Sequence, residues 1–299
     1  MRLVELAVEA GLPAGVINLV HGAKATVDAL LAHPRVKAVS FVGSAPVAKH
    51  VYQTAAENGK RVQALGGAKN HMVVMPDCDL PATVRALMGA AFGCAGERCL
   101  ATSVVVAVGD AADSLLRELA KAAGAVKLGA STNPETQMGP LISAVHRERV
   151  LSYIELGGRE GAQLARDGRG DKPSDGSTGF FLGPTIFDHV KPEMRIAREE
   201  IFGPVLSVIR ATDLDDAISI VNNSSYGNAS SIFTQSGRAG QEFAQKVEAG
   251  MVGINVGVPA PSSHFPFTGW KGSFFGDLHA HGKDAIEFYT EKKVISSRW

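Results

Sequence analysis

The chain has 299 residues, 45% of them apolar and 20% charged, an ordinary globular composition with room for one large domain or two medium ones. Thirty Lys and Arg balance thirty Asp and Glu, which leaves no electrostatic footprint for nucleic acid or an anionic membrane. Residues 249–270 carry no Asp, Glu, Lys or Arg, but five Pro or Gly from Gly257 to Gly269 argue against a membrane-spanning helix.

The start, Met1-Arg2-Leu3-Val4-Glu5, meets an acidic residue at once and has no signal-peptide pattern, so a soluble, cytoplasmic protein is expected. A helix over 3–10, closed by Gly11-Leu12-Pro13, leads into a strand at 16–20. Helices at 26–32 and 47–57 then alternate with strands at 36–42, 61–65 and 72–75. Asp79 caps a helix whose apolar face is Val84, Leu87, Met88 and Ala91, ended by Gly93 and Gly96 before a strand at 103–108. Helices at 114–123, 144–160, 214–222 (capped by Asp213) and 240–248 alternate with strands at 205–209, 230–233 and 251–256. The polar, Gly-rich run 168–179 reads as an exposed loop, and 285–296 as a terminal strand. Such alternation implies parallel β-α-β units, hence an α/β sheet covered by helices. The first helix has no strand before it, which reads as a sheet that has lost its start.

Cys78, Cys94 and Cys99 form neither a pairable framework nor a zinc-ligand spacing, so free thiols and no metal are expected. A single cysteine is ordinarily a small buried hydrophobe, and that reading suits Cys78 and Cys94. Cys99 differs. It lies in Gly96-Glu97-Arg98-Cys99, on the connection from a helix to a strand, where the glycine allows close approach and the charges oppose deep apolar burial.

Residues 92–101, Phe-Gly-Cys-Ala-Gly-Glu-Arg-Cys-Leu-Ala, resemble the active-site signature of the aldehyde dehydrogenase superfamily. Ser40-Phe41-Val42-Gly43-Ser44, Leu65-Gly66-Gly67 and Glu199-Glu200-Ile201-Phe202-Gly203-Pro204-Val205 resemble further blocks of that family in the same order. Gly67-Ala68-Lys69-Asn70-His71 and the stretch from Phe267 to Asp277 are similar to the methylmalonate-semialdehyde dehydrogenase subgroup.

The resemblance implies a partial Rossmann-type NAD domain (1–67), an α/β catalytic domain (68–264), and a return to the NAD domain with an oligomerisation strand (265–299). It also implies a homo-oligomer. The implied reaction is oxidation of methylmalonate or malonate semialdehyde by NAD, with CoA accepting the acyl group and carbon dioxide leaving, in valine or inositol breakdown. Cys99 would be the nucleophile and its backbone N–H an oxyanion donor. Glu200 would hold the nicotinamide ribose with Phe202 beside the ring, and Gly43 and Ser44 would approach the cofactor at a helix N-terminus. Arg98 would grip the substrate carboxylate.

Two departures stand out. Ala48 replaces a glycine common among relatives. Ala64 stands where hydrolytic relatives carry the glutamate that activates water, which favours the CoA thiol as acyl acceptor. Against the family's full length a long N-terminal part is absent, so weak NAD binding and turnover are expected of this chain. A catalytically impaired remnant acting as a subunit partner and a hydrolytic enzyme are the alternative readings.

Overall fold

Two valine-bearing runs set the centre of the molecule. In the computed structural model, which describes residues 1–173 and 175–299, they are the strands β3 (Asn70–Val74) and β4 (Thr102–Val108). Both are buried almost end to end, as expected of strands covered on both faces. In chain order they are preceded by helices α1 (Arg2–Glu9) and α2 (Lys24–Ala32), strand β1 (Ala38–Val42), helix α3 (Ala45–Glu57) and strand β2 (Arg61–Leu65). Helices α4 (Leu80–Phe92), α5 (Ala111–Gly124) and α6 (Ala144–Arg159) follow, then strands β5 (Gln163–Arg166) and β6 (Thr185–Asp188). After the short helix α7 (Arg195–Arg198) come β7 (Val205–Ala211), α8 (Leu214–Asn222), β8 (Tyr226–Gly227), β9 (Ala229–Phe233), α9 (Gly237–Lys246) and β10 (Met251–Ile254). The chain closes with β11 (Trp270–Lys271), β12 (Phe274–Phe275) and α10 (Gly282–Tyr289).

The main sheet has seven strands in the order β10-β9-β3-β4-β7-β6-β5, all parallel except β5 against β6. Its covering helices are shaped by sequence in the expected way. Asp79 accepts a hydrogen bond from the Ala82 N–H at 2.9 Å and caps α4, and Asp213 caps α8 by accepting from Asp216 N–H. Along α5, Ala112, Leu115, Leu116, Leu119 and Ala123 form one buried stripe at helical spacing. A second sheet, β1-β2-β12, joins β1 and β2 in parallel and receives β12 antiparallel, so the last part of the chain packs back beside the early strands. A small core of Leu31, Val51 and Ala55 supports it.

Two sequence-based strands are corrected. Residues 16–20 form no strand: Val16, Ile17, Leu19 and Val20 are exposed, and no neighbouring strand offers them a ladder. A β-branched run becomes a strand only when its N–H and C=O groups find partners. Residues 285–296 are likewise no strand. Gly282–Tyr289 is helical and buries Phe288, and the residues beyond it have no regular structure, with Val294 and Ile295 exposed. Of the run 168–179, Ser174 lies outside the described residues; the remainder contains no helix or strand. Among the described residues no helix is long and apolar enough to cross a membrane.

Candidate active site

After α4 the chain makes one tight 3-10 turn, Gly93–Gly96, in which Cys94, Ala95 and Gly96 have φ of 51°, 53° and 72°. Three successive residues near the left-handed region reverse the chain sharply, a conformation that costs energy for Cys94 and Ala95 and little for Gly96. Gly96 is required for a second reason. A Cβ there would lie 2.3 Å from the Gly203 carbonyl oxygen, so the Cys99 loop rests directly on the backbone of the 202–204 turn. The Glu199–Phe202 segment and the Cys99 loop are thereby pressed together.

A cleft of about 520 Å³ opens at this junction. Its walls include Cys99, Glu200, Phe202, Gly43 and Ser44, so five of the six residues singled out from sequence converge on one space. Gly43 follows β1, and Ser44 occupies the N-cap position of α3, its side chain making no capping bond. The start of this 13-residue helix therefore faces the cleft, where its positive dipole end favours negative charge. Ala48 is fully buried one turn further on. Ala64, on β2, is also fully buried and does not line the cleft, whose carboxylates are Glu97 and Glu200.

Glu200 is held in place by backbone. Its Oε1 accepts from the Ala68 N–H at 2.9 Å, and Gly67 makes room for it, since a Cβ there would lie 2.8 Å from Oε2. Burial pushes its carboxyl pKa up, opposed by the Ala68 N–H and by the Lys69 and Arg149 charges. No ion pair with Arg198 occurs among the described residues. Its neighbour Glu199 has a structural set of partners: Tyr153 Oη donates to it at 2.6 Å and Arg195 Nε at 2.6 Å. The two adjacent glutamates thus face different surroundings, and only Glu200 reaches the cleft. Phe202 takes φ 60°, and its carbonyl accepts from His146 Nε2 at 2.6 Å.

Arg98 is the sixth residue, and the structure does not bring it into that cleft. Its guanidinium folds onto the last turn of α4, donating from Nη2 to the Gly89 carbonyl and lying where a Cβ on Gly93 would stand. Its Nε is buried without a hydrogen-bond partner. Gly89 and Gly93 in turn line a second, apolar cavity of about 480 Å³ with Met88, Phe92 and Met138.

Cys99 itself is exposed. Burial of the thiol nevertheless raises its pKa above the ordinary value, and the Glu200 charge adds to the rise. The N–H groups of Cys99 and Leu100, and the Arg98 charge, act in the opposite direction.

Several residues around the site were not singled out from sequence. Asn70 Nδ2 and Asn228 Nδ2 both donate to the Cys99 carbonyl, each at 2.8 Å. His146 Nε2 lies 3.3 Å from Glu97 Oε1, which also accepts from the Ile142 N–H at 3.3 Å, tying α6 to the Cys99 loop. Lys69 is buried, donates to the Glu199 carbonyl at 2.8 Å, and has its pKa pushed down to about 7 by burial. The available signal was polar residues, Lys69-Asn70-His71, opening an otherwise apolar strand; Asn228 had no comparable signal.

The sequence profile of the aldehyde dehydrogenase family matches residues 1–295. The chain belongs to the aldehyde dehydrogenase family. The chain is 58% identical over 297 residues to malonate-semialdehyde dehydrogenase 2 of Geobacillus thermodenitrificans (strain NG80-2), a match that covers 99% of the chain and 61% of that relative. A methylmalonate-semialdehyde dehydrogenase crystal structure from Oceanimonas doudoroffii superposes with a TM-score of 0.97 at 51% identity. So does a Sinorhizobium meliloti structure, provisionally described as a methylmalonate-semialdehyde dehydrogenase and complexed with NAD, at 49% identity with a TM-score of 0.97. Each match covers all of the present chain and 61% of the solved one. The fold is accordingly the α/β fold of this family. The chain spans 61% of the length of the curated relatives named here.

Proposed function

We propose that the chain carries the catalytic chemistry of an NAD-dependent, CoA-acylating semialdehyde dehydrogenase acting on methylmalonate or malonate semialdehyde. The observation that carries the reading is the meeting of Cys99 and Glu200 with Gly43 and Ser44 in one cleft. In this reading residues 1–67 form the nucleotide side and 68–264 the catalytic side, and 265–299 return to the former, an arrangement supported by the pairing of β12 with β2.

The donor set fits a dinucleotide. Gly43 and Ser44 offer uncapped backbone at a helix start, and Glu200 offers a fixed carboxylate for ribose hydroxyls. Phe202 supplies an aromatic wall. NAD, when bound, supplies the hydride acceptor for oxidation of the substrate carbon.

The protein's own part begins with the thiol. Its raised pKa means that the thiolate must be drawn out by the N–H groups of Cys99 and Leu100 and by loss of its proton as substrate binds. The thiolate then attacks the aldehyde carbon, and the resulting oxyanion is stabilised by the Cys99 N–H. After oxidation the acyl group is a thioester on Cys99 that still carries the substrate carboxylate; that group leaves as carbon dioxide and the carbon it leaves takes up a proton, giving a propionyl or acetyl thioester. Ala64 offers no carboxylate to activate water, so the CoA thiol takes the acyl group and regenerates Cys99. The products are propionyl-CoA or acetyl-CoA, carbon dioxide and NADH.

Arg98 is proposed to meet the substrate carboxylate. Its unpartnered Nε and its place beside Cys99 and Glu200 in a small pocket support that role, because a second acceptor would complete the buried Nε. The test is to follow NADH with NAD, CoA and methylmalonate semialdehyde. Cys99→Ser is expected to abolish the signal and Cys94→Ser to leave it. Steady NADH formation at the same rate without CoA would rule out the acylating reading in favour of hydrolysis.

A further inference from the structure

We propose that Asn70 and Asn228 are positioning residues that clamp the Cys99 carbonyl and so aim the next peptide N–H at the sulfur. The inference rests on the reading of Cys99 as nucleophile and adds to it a device that holds the nucleophile's own peptide.

The two amides come from separate elements. Asn70 opens β3, and Asn228 sits between β8 and β9. Both are buried, at 5% and 6% exposure. Asn70 has its amide orientation fixed by its other partners: Oδ1 accepts from the Ala229 N–H at 3.1 Å, which leaves Nδ2 for the carbonyls of Cys99 and Ala101, both at 2.8 Å. Asn228 adds a second donor to the same Cys99 oxygen at 2.8 Å. One bond would satisfy a buried carbonyl. Two buried amides brought from β3 and from the β8–β9 connection to one oxygen restrain its direction as well as its pairing.

The consequence follows from peptide geometry. All peptide bonds among the described residues are trans, so the Cys99 carbonyl and the Leu100 N–H lie in one plane and point in opposite directions. Holding the carbonyl inward turns the Leu100 N–H outward, toward the thiol. The Leu100 side chain is anchored in a small buried cluster with Ala229 and Met251, which keeps the peptide from rotating back. Donation into the carbonyl also polarises the amide, strengthening its N–H as a donor. The Leu100 N–H is one of the groups that favour the thiolate against the cost of burial, consistent with this arrangement.

The test uses alkylation of the intact protein by iodoacetamide, which needs neither NAD nor aldehyde and so stands apart from the turnover assay of Cys99→Ser. Trypsin cuts after Arg98, placing Cys94 and Cys99 on different peptides, so each rate is read separately by mass spectrometry. In Asn228→Leu, Cys99 is expected to react about fivefold more slowly near neutral pH, the loss of a typical hydrogen bond. The midpoint of its pH–rate profile is expected to move upward, while Cys94 keeps its rate. A purely structural role would leave that midpoint in place. If Asn228→Leu unfolds, seen as faster alkylation of the half-buried Cys78, Asn228→Ser, which lacks the amide donor, carries the comparison, with Cys78 at its wild-type rate as the sign that it is folded. An unchanged Cys99 rate and midpoint in the folded variant would overturn the clamp, even if Cys99→Ser is inactive.

Discussion

At Cys99 and its neighbours, burial and hydrogen bonding pull ionisable groups in opposite directions. Removing Cys99 and Glu200 from water disfavours both anions, and each is offset by backbone N–H groups fixed in the fold. Lys69 shows the same competition with the sign reversed: burial brings its pKa from 10.5 to about 7 despite two nearby glutamates. Between those values the unfolded chain holds a proton that the folded chain lacks, so stability rises as pH increases from about 7 toward 10.5. Below pH 7 both states are protonated and the full burial cost is present. Lys69→Met is therefore expected to flatten this dependence, measured as the urea midpoint at pH 7 and pH 9.5. Parallel curves for the two proteins would show that Lys69 keeps its proton throughout. At this scale the sequence was legible for residues with a chemical signature, Cys99 and Glu200 above all. It was opaque for the pairing of Asn70 with Asn228, whose significance lies in two amides meeting one carbonyl across a sequence separation longer than any local pattern can register.

 That separation is 158 positions, from Asn70 to Asn228, and only the folded chain closes it.

Among the elements, those that sequence patterning identified best are the ones whose signals are local. Asp79 and Asp213 mark helix starts, and the valine-rich run of β4 marks a buried strand. The 16–20 and 285–296 runs misled because strand formation depends on a partner, which no local pattern supplies. The short strands β8, β11 and β12 were missed because two residues carry no periodicity. The nucleophile loop tests how strictly element geometry is enforced. Asp79→Ala, which removes one cap, is expected to cost about 1 kcal/mol in an unfolding titration. Gly96→Ala combines φ 72° with a Cβ placed 2.3 Å from the Gly203 oxygen, and is expected to cost about 3 kcal/mol. Equal losses in the two variants would mean that the loop does not rest on Gly203 as described.

Over the whole molecule, the fold serves to bring distant blocks to one place. The turn after β1, the loop before β4 and the segment before β7 are far apart in sequence, and the two sheets bring them around the same cleft. Arg98, on the same loop, folds onto the end of α4 and also lines a small pocket with Cys99 and Glu200, which keeps the proposed grip on the substrate carboxylate beside the sulfur. The central claim is that Cys99 becomes acylated and hands its acyl group to CoA. Its most direct measurement is the mass of the tryptic peptide beginning at Cys99 after the protein is quenched from NAD and methylmalonate semialdehyde without CoA. An acyl adduct is expected on Cys99, absent from Cys94, that disappears when CoA is added before the quench. An unmodified Cys99 accompanied by NADH formation, or an adduct carried by Cys94, would contradict it.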